Sequence, residues 1–198
     1  MKHLDLYHVF WNGSSGVFSL QPEFSKIKPD KMRIVLVALL SLSFSLSYAQ
    51  SKKSINWMSW EEAVVANKKK PKKIFVDVYT DWCGWCKKMD KSTFQDEKVI
   101  KYLNKHFYAV KLDAEQKEDI SFNGSTFKHV NQGRNGTHQL AFALLDGKMG
   151  FPAFVSLDEQ FHRIMVSPGY KQPTQMIREL GYVKSESYEK MAMDDYKP

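Results

Sequence analysis

Ile74-Phe75-Val76-Asp77-Val78-Tyr79-Thr80-Asp81-Trp82-Cys83-Gly84-Trp85-Cys86-Lys87 is the stretch that decides the fold of this chain. The run Lys73–Tyr79 is nearly continuously apolar and rich in β-branched and aromatic residues, as a central strand covered on both faces would be. Lys87-Lys88-Met89-Asp90 reads as helix. Between strand and helix stand the only two cysteines of the chain, three apart. Two cysteines scattered at random over such a length fall at that spacing roughly one time in a hundred, so the pair asks for a chemical reason. A helix N-terminus provides it. Its free N–H groups and dipole stabilise a thiolate on the first sulfur, and the second lies within reach to close a disulfide. The pair reads as a dithiol–disulfide redox couple.

Other uses of two cysteines fit less well. Structural zinc wants about four Cys or His ligands, and there is no second CxxC and no His-x-x-x-His. His106, His129, His138 and His162 are dispersed and read as surface or capping residues; no metal site is expected. A c-type haem attachment needs His after the second cysteine, where Lys87 stands. A structural disulfide over so short a loop removes little chain entropy. Capture of Cu(I) by two soft thiolates stays open, although Met89 is the only methionine close by.

Working outward, Ser59-Trp60-Glu61-Glu62 forms a capping box that opens a helix with Trp60, Ala63 and Val64 on one face. The lysines 68–70, 72 and 73 around Pro71 end it and read as a solvated helix end. Val99, Ile100 and Leu103 recur at helical spacing, and Phe107–Leu112 reads as a second strand. This βαβ context strengthens the CxxC reading. In the polar stretch 113–136, Ile120–Phe122 and Ser125–Phe127 flank Asn123-Gly124, a strong hairpin signal. A small β-hairpin inserted after the second strand is therefore expected. Asn123-Gly124-Ser125 and Asn135-Gly136-Thr137 match glycosylation acceptors, but turn chemistry explains both. Thr137 is expected to cap a helix through Leu145. Pro152–Leu157 and Phe161–Val166 read as antiparallel strands joined at 158–160, and Pro173–Gly181 as a last helix.

Residues 32–49 begin Met-Arg, continue through the apolar run Ile34–Leu40 and end Ser47-Tyr48-Ala49, the layout of a secretory signal cleaved after Ala49. Residues 1–31 lack periodicity and read as a disordered upstream extension, with translation starting at Met32. The domain then covers 50–183, and 184–198 reads as a loose polar tail. The chain carries +7 formal charge; five of its 29 basic and three of its 22 acidic residues precede Gln50, leaving +5 after cleavage. Without a platform of interleaved aromatics this excess does not point to nucleic acid. An exported chain whose only cysteines form one CxxC is not using disulfides as staples.

Residues 74–87 closely resemble the thioredoxin signature. Phe151-Pro152 ahead of a strand resembles that family's cis-proline, and Lys111-Leu112-Asp113 resembles the end of its next central strand. The similarity spans roughly 59–181, and together with the signal and the insert it resembles an exported bacterial thioredoxin-like protein with a CGWC motif. One departure is Trp85, where the family commonly has proline. The resemblance implies an α/β thioredoxin fold, a central mixed sheet flanked by helices, and protein disulfide reductase activity without a cofactor. It implies Cys83 as the exposed nucleophile and Cys86 as the shielded resolving thiol, an order that helix position supports independently.

Asp77 is a carboxylate within an apolar strand, where burial without a partner is costly. It is expected to be a buried acid/base of raised pKa that moves the Cys86 proton, with Lys111 as charge partner. Trp82 and Trp85 are expected to flank the disulfide as an apolar docking surface. Phe151 and Pro152 are expected beside the sulfurs, leaving backbone free to pair with an extended substrate. The expected partners are exported proteins bearing disulfides or thiols, plus a redox partner, around a monomer in the periplasm or outside the cell. The rival reading is a non-catalytic binder of peptides or Cu(I) using the same cleft.

Overall fold

The apolar run Lys73–Tyr79 forms β2, the middle strand of a five-stranded mixed sheet in the order β1 (Trp57–Met58), β3 (Phe107–Asp113), β2, β8 (Ala153–Leu157), β9 (Arg163–Pro168). The computed structural model describes residues 54–131 and 135–197. The expected extension and signal segment, 1–49, lie outside the described residues. Strand β1 (Trp57–Met58) and β2 run parallel to β3 (Phe107–Asp113). Strand β8 (Ala153–Leu157) is antiparallel to β2, and β9 (Arg163–Pro168) to β8.

Alternation along β2 sends its side chains to two cores, which is why the run shows no polar face. Ile74, Val76 and Val78 pack with Trp60 and Ala63 of α1 (Trp60–Lys69) and Leu140 of α4 (Gln139–Leu144). Phe75 lies on the opposite face. There it packs with Met89 of α2 (Gly84–Lys91), Leu103 of α3 (Glu97–His106) and Leu180 of α5 (Pro173–Lys184). The capping box of α1 forms as expected: Ser59 Oγ accepts the Glu62 N–H at 3.1 Å, and Glu62 Oε2 accepts the Ser59 N–H at 2.8 Å.

The expected hairpin is present as β4 (Ile120–Phe122) and β5 (Ser125–Phe127). Asn123 and Gly124 both take positive φ, 49° and 76°, which suits the twist of a two-residue turn. A second short ladder, β6 (His129–Val130) with β7 (Thr137–His138), follows it. That ladder displaces the expected cap. His138, not Thr137, precedes α4, and its Nδ1 accepts the Leu140 N–H at 3.3 Å.

Four more expectations are corrected. Phe161 does not enter β9; at φ 66° it turns inward onto Trp60 and Phe122, with ring centroids 5.5 and 4.9 Å away. The lysine run is only partly a solvated helix end. Lys73 is buried and pairs with Glu159 and Glu186 at 3.2 and 2.9 Å, and Lys72 donates to the carbonyls of Asn104 and Phe107. Helix α5 continues past Gly181, which is no stop signal: a Cβ there would meet the Tyr196 hydroxyl at 3.0 Å, so the glycine admits a neighbour. That neighbour belongs to the stretch expected to be loose. Residues 187–189 form a 3₁₀ turn, and Tyr188, Met193 and Tyr196 pack onto the α5 core. Arg178 holds the turn down by donating to the carbonyls of Met193, Asp194 and Tyr196.

Candidate redox site

The end of β2 delivers the chain to α2 through one tight turn, closed by the Cys83 N–H donating to the Thr80 carbonyl at 3.1 Å. Cys83 is the N-cap of α2, and its Sγ accepts the Cys86 N–H at 3.0 Å. The two sulfurs are joined in a disulfide, with Cα atoms 5.3 Å apart. A negative charge at such a helix end gains about 0.3–1 kcal/mol, and up to about 2 in partly buried geometries. Only the first sulfur holds that position.

Exposure does not separate the cysteines as expected. Cys83 is 4% exposed and Cys86 3%. The flanking indoles meet solvent instead, Trp82 at 61% and Trp85 at 55%. Trp82 packs edge-on to Phe151 at 5.9 Å, and Trp85 lies 5.5 Å from Tyr170 with the Lys88 ammonium over both rings. The Phe151–Pro152 peptide is cis. Among the described residues the backbone N–H and C=O of Phe151 meet no partner, whereas the Pro152 carbonyl accepts the Gly169 N–H. None of the cysteines, Trp82, Trp85, Phe151, Pro152 or Tyr170 lines the grooves of about 550 and 620 Å³ elsewhere on the surface.

Beneath α2, Asp77 is 1% exposed, on the middle strand and on the sheet face that α2 covers, so it does not face water. The register sets Lys111 of β3 directly beside it, and Lys111 Nζ stands 3.1 Å from Asp77 Oδ2. Asp77 Oδ1 has no hydrogen-bond partner among the described residues. Burial pushes the Asp77 carboxyl up to about 6, against the pull of Lys111 and with help from the negative Asp90. Burial alone would lower the Lys111 ammonium, but the two carboxylates outweigh it and hold the group above its ordinary value.

Three contacts of the site escape sequence reasoning. Trp82 Nε1 donates to Glu115 Oε1 at 2.8 Å, and Glu115 also accepts from the Asn135 amide, which ties the indole to the segment after β3. Tyr170 comes from the loop after β9, and nothing in its sequence neighbourhood marks it. Asp90 hydrogen-bonds Lys111 at 2.5 Å. It stands four residues after Cys86, on the same helix face, a spacing that was visible in advance. Met89 gives no support to a copper site: it is buried, and its sulfur accepts the Lys171 N–H at 3.4 Å.

A family model described as Thioredox_DsbH, protein of unknown function (DUF255), matches residues 40–187. An uncharacterized protein B0495.5 of Caenorhabditis elegans is 29% identical over 120 residues, 52% of this chain and 16% of that protein. Spermatogenesis-associated protein 20 of Mus musculus is 32% identical over 83 residues, 41% of this chain and 10% of that protein. The chain thus spans only a small part of these curated relatives. A thioredoxin-fold protein from Helicobacter pylori superposes with a TM-score of 0.51 at 18% identity, covering 75% of this chain and 88% of the other. The mixed sheet, the cysteine pair at the head of α2 and a family match over most of the chain agree, and the chain belongs to the thioredoxin-like DsbH family.

Proposed function

We propose that this chain is a thiol–disulfide oxidoreductase acting on exported proteins through Cys83 and Cys86. The observation that carries the reading is the Cys83–Cys86 disulfide with Cys83 Sγ at the helix cap, where a thiolate is favoured once the bond is reduced. Cys83 thiolate attacks a substrate disulfide; a Cys83–substrate bond forms and the first substrate sulfur leaves as thiolate. Cys86 then gives its proton to the Asp77 carboxylate and attacks Cys83 Sγ. The Cys83–Cys86 bond forms, and the second substrate sulfur leaves and takes a proton from water. Two electrons pass from enzyme to substrate, and a dithiol partner must restore them. Run in reverse, the same steps oxidise a substrate dithiol, so the reduction potential of the pair sets the direction.

The open rim of the site suits a protein substrate. Trp82, Trp85 and Phe151 offer apolar area, and the free backbone of Phe151 offers a donor and an acceptor to an extended segment. Export follows from the signal-like segment 32–49, and N-terminal sequencing of the native protein should begin at Gln50; a start at Met1 or Met32 would mean the segment is retained. Trapping tests the catalytic reading against a non-catalytic binder. Cys86→Ser should accumulate mixed disulfides on Cys83, and Cys83→Ser none. Equal trapping by both variants, or no turnover of any disulfide substrate by the parent, would overturn it.

A further inference from the structure

The geometry points to Asp90 as a positioning residue that divides the Lys111 ammonium with Asp77 and thereby governs how readily Asp77 takes up the Cys86 proton. The kinetic part of this inference rests on the reading of Asp77 as the base. Lys111 is the only cation paired with Asp77 among the described residues, and it is not aimed at Asp77 alone. Lys111 Nζ donates to Asp90 Oδ1 at 2.5 Å and stands 3.1 Å from Asp77 Oδ2, closer to the helix carboxylate than to the buried one.

The ammonium has little freedom to choose between them. It sits over the rings of Tyr79, Trp57 and Phe94, with centroids 4.8, 5.4 and 5.9 Å away, and such faces hold a cation by their quadrupoles. Two carboxylates therefore share one positive charge in a site of low dielectric. With a single carboxylate, Lys111 would neutralise Asp77 fully and leave a poor proton acceptor. With two, the trio keeps a net negative charge that a proton on Asp77 relieves.

Among the charges facing Asp77, helix α2, which also bears Cys86, supplies Asp90, and β3 supplies Lys111. Asp77's own strand adds the Tyr79 hydroxyl, and β8 sets uncharged Phe154 opposite it. Beyond that ring lies Lys171, 6.0 Å from the Phe154 centroid and paired with Glu179 at 3.9 Å. Asp81 and Asp113 stand near Tyr79 at the mouth of the site. Among the described residues, Asp90 is the one acid besides Asp77 that pairs with Lys111 directly. Because Asp90 rides on the cysteine-bearing helix, it also ties the position of Cys86 to the buried charge beneath it.

Removing either partner of Lys111 tests this with opposite signs. In the reduced full-length chain, carboxyl-labelled NMR should place the Asp77 midpoint lower in Asp90→Asn, by roughly half a unit to one unit, as loss of a nearby like charge does. Lys111→Met should raise the midpoint, and Asp90→Glu should restore it. The pH profile for release of a substrate thiol from a preformed mixed disulfide should move with the midpoint in each variant. An Asp77 midpoint unmoved in Asp90→Asn, or moved upward as in Lys111→Met, overturns the inference. A midpoint that moves while the rate profile stands still supports the control of Asp77 by Asp90 and instead removes Asp77 from its role as base.

Discussion

At the scale of single residues, Asp77 carries the strongest conflict between stability and chemistry. A carboxyl pushed up to about 6 by burial is harder to ionise in the folded chain than in the unfolded one, where it titrates near 3.8. Below pH 3.8 it is protonated in both states and costs nothing. As pH rises from there, the unfolded chain ionises first, and the folded state falls behind by about 1.36 kcal/mol per unit of difference, near 3 kcal/mol above pH 6. Asp77→Asn should therefore raise unfolding free energy at pH 7.5 by up to about 3 kcal/mol, the Lys111–Asp90 pair remaining, and by almost nothing at pH 3.5. The same substitution should slow closure of the Cys83–Cys86 bond far more than formation of the mixed disulfide. Denaturant titrations at the two pH values and stopped-flow rates for the two half-reactions check this. A gain in stability that does not depend on pH, with both half-reactions unchanged, would reduce Asp77 to a packing residue.

At the scale of elements, legibility follows the range of the interactions that define each one. Strand β2 and the cap of α1 were readable because their causes are local: an unbroken apolar run, and a serine and glutamate three residues apart. The cysteine pair was readable for the same reason. Strand β1 has two residues and exists only because Trp57 and Met58 find Ala109 and Val110 far along the chain. Lys73 looks like a solvated lysine until Glu159 and Glu186 are brought to it from the opposite end of the domain. Of the proposed site residues, Asp77 was visible as a charge out of place in an apolar strand. Glu115 and Tyr170 were not, since each reaches its indole only through the folded topology. Asp90 lies between these cases: its helical spacing from Cys86 is local, but its purpose depends on a lysine of β3.

At the scale of the whole domain, the C-terminal residues extend the core instead of trailing from it. Lys73 binds Glu186, Gly181 makes room for Tyr196, Arg178 gathers three carbonyls, and the Tyr182 hydroxyl donates to Met191 at 2.6 Å. The face so covered is that of α3 and α5, whose buried residues share a core with Met89 of the helix bearing the cysteines. Deleting residues 187–198 keeps the Lys73–Glu186 pair but uncovers Gly181 and Tyr182 and leaves Arg178 without those acceptors. Three half-buried side chains contribute about 2–4 kcal/mol by their apolar area, and the entropy of ordering the turn offsets part of that. A net loss of about 2 kcal/mol in a domain of this size lowers the melting temperature by roughly 4–8 °C. Calorimetry of the truncated and full-length chains should show that drop, with disulfide turnover at 25 °C retained because the cut lies outside the redox site. A truncated chain that melts with the full-length one would mean the turn rests on the core without stabilising it. One that melts lower and also loses turnover would mean the α5 face governs the position of α2, and so of Cys83 itself.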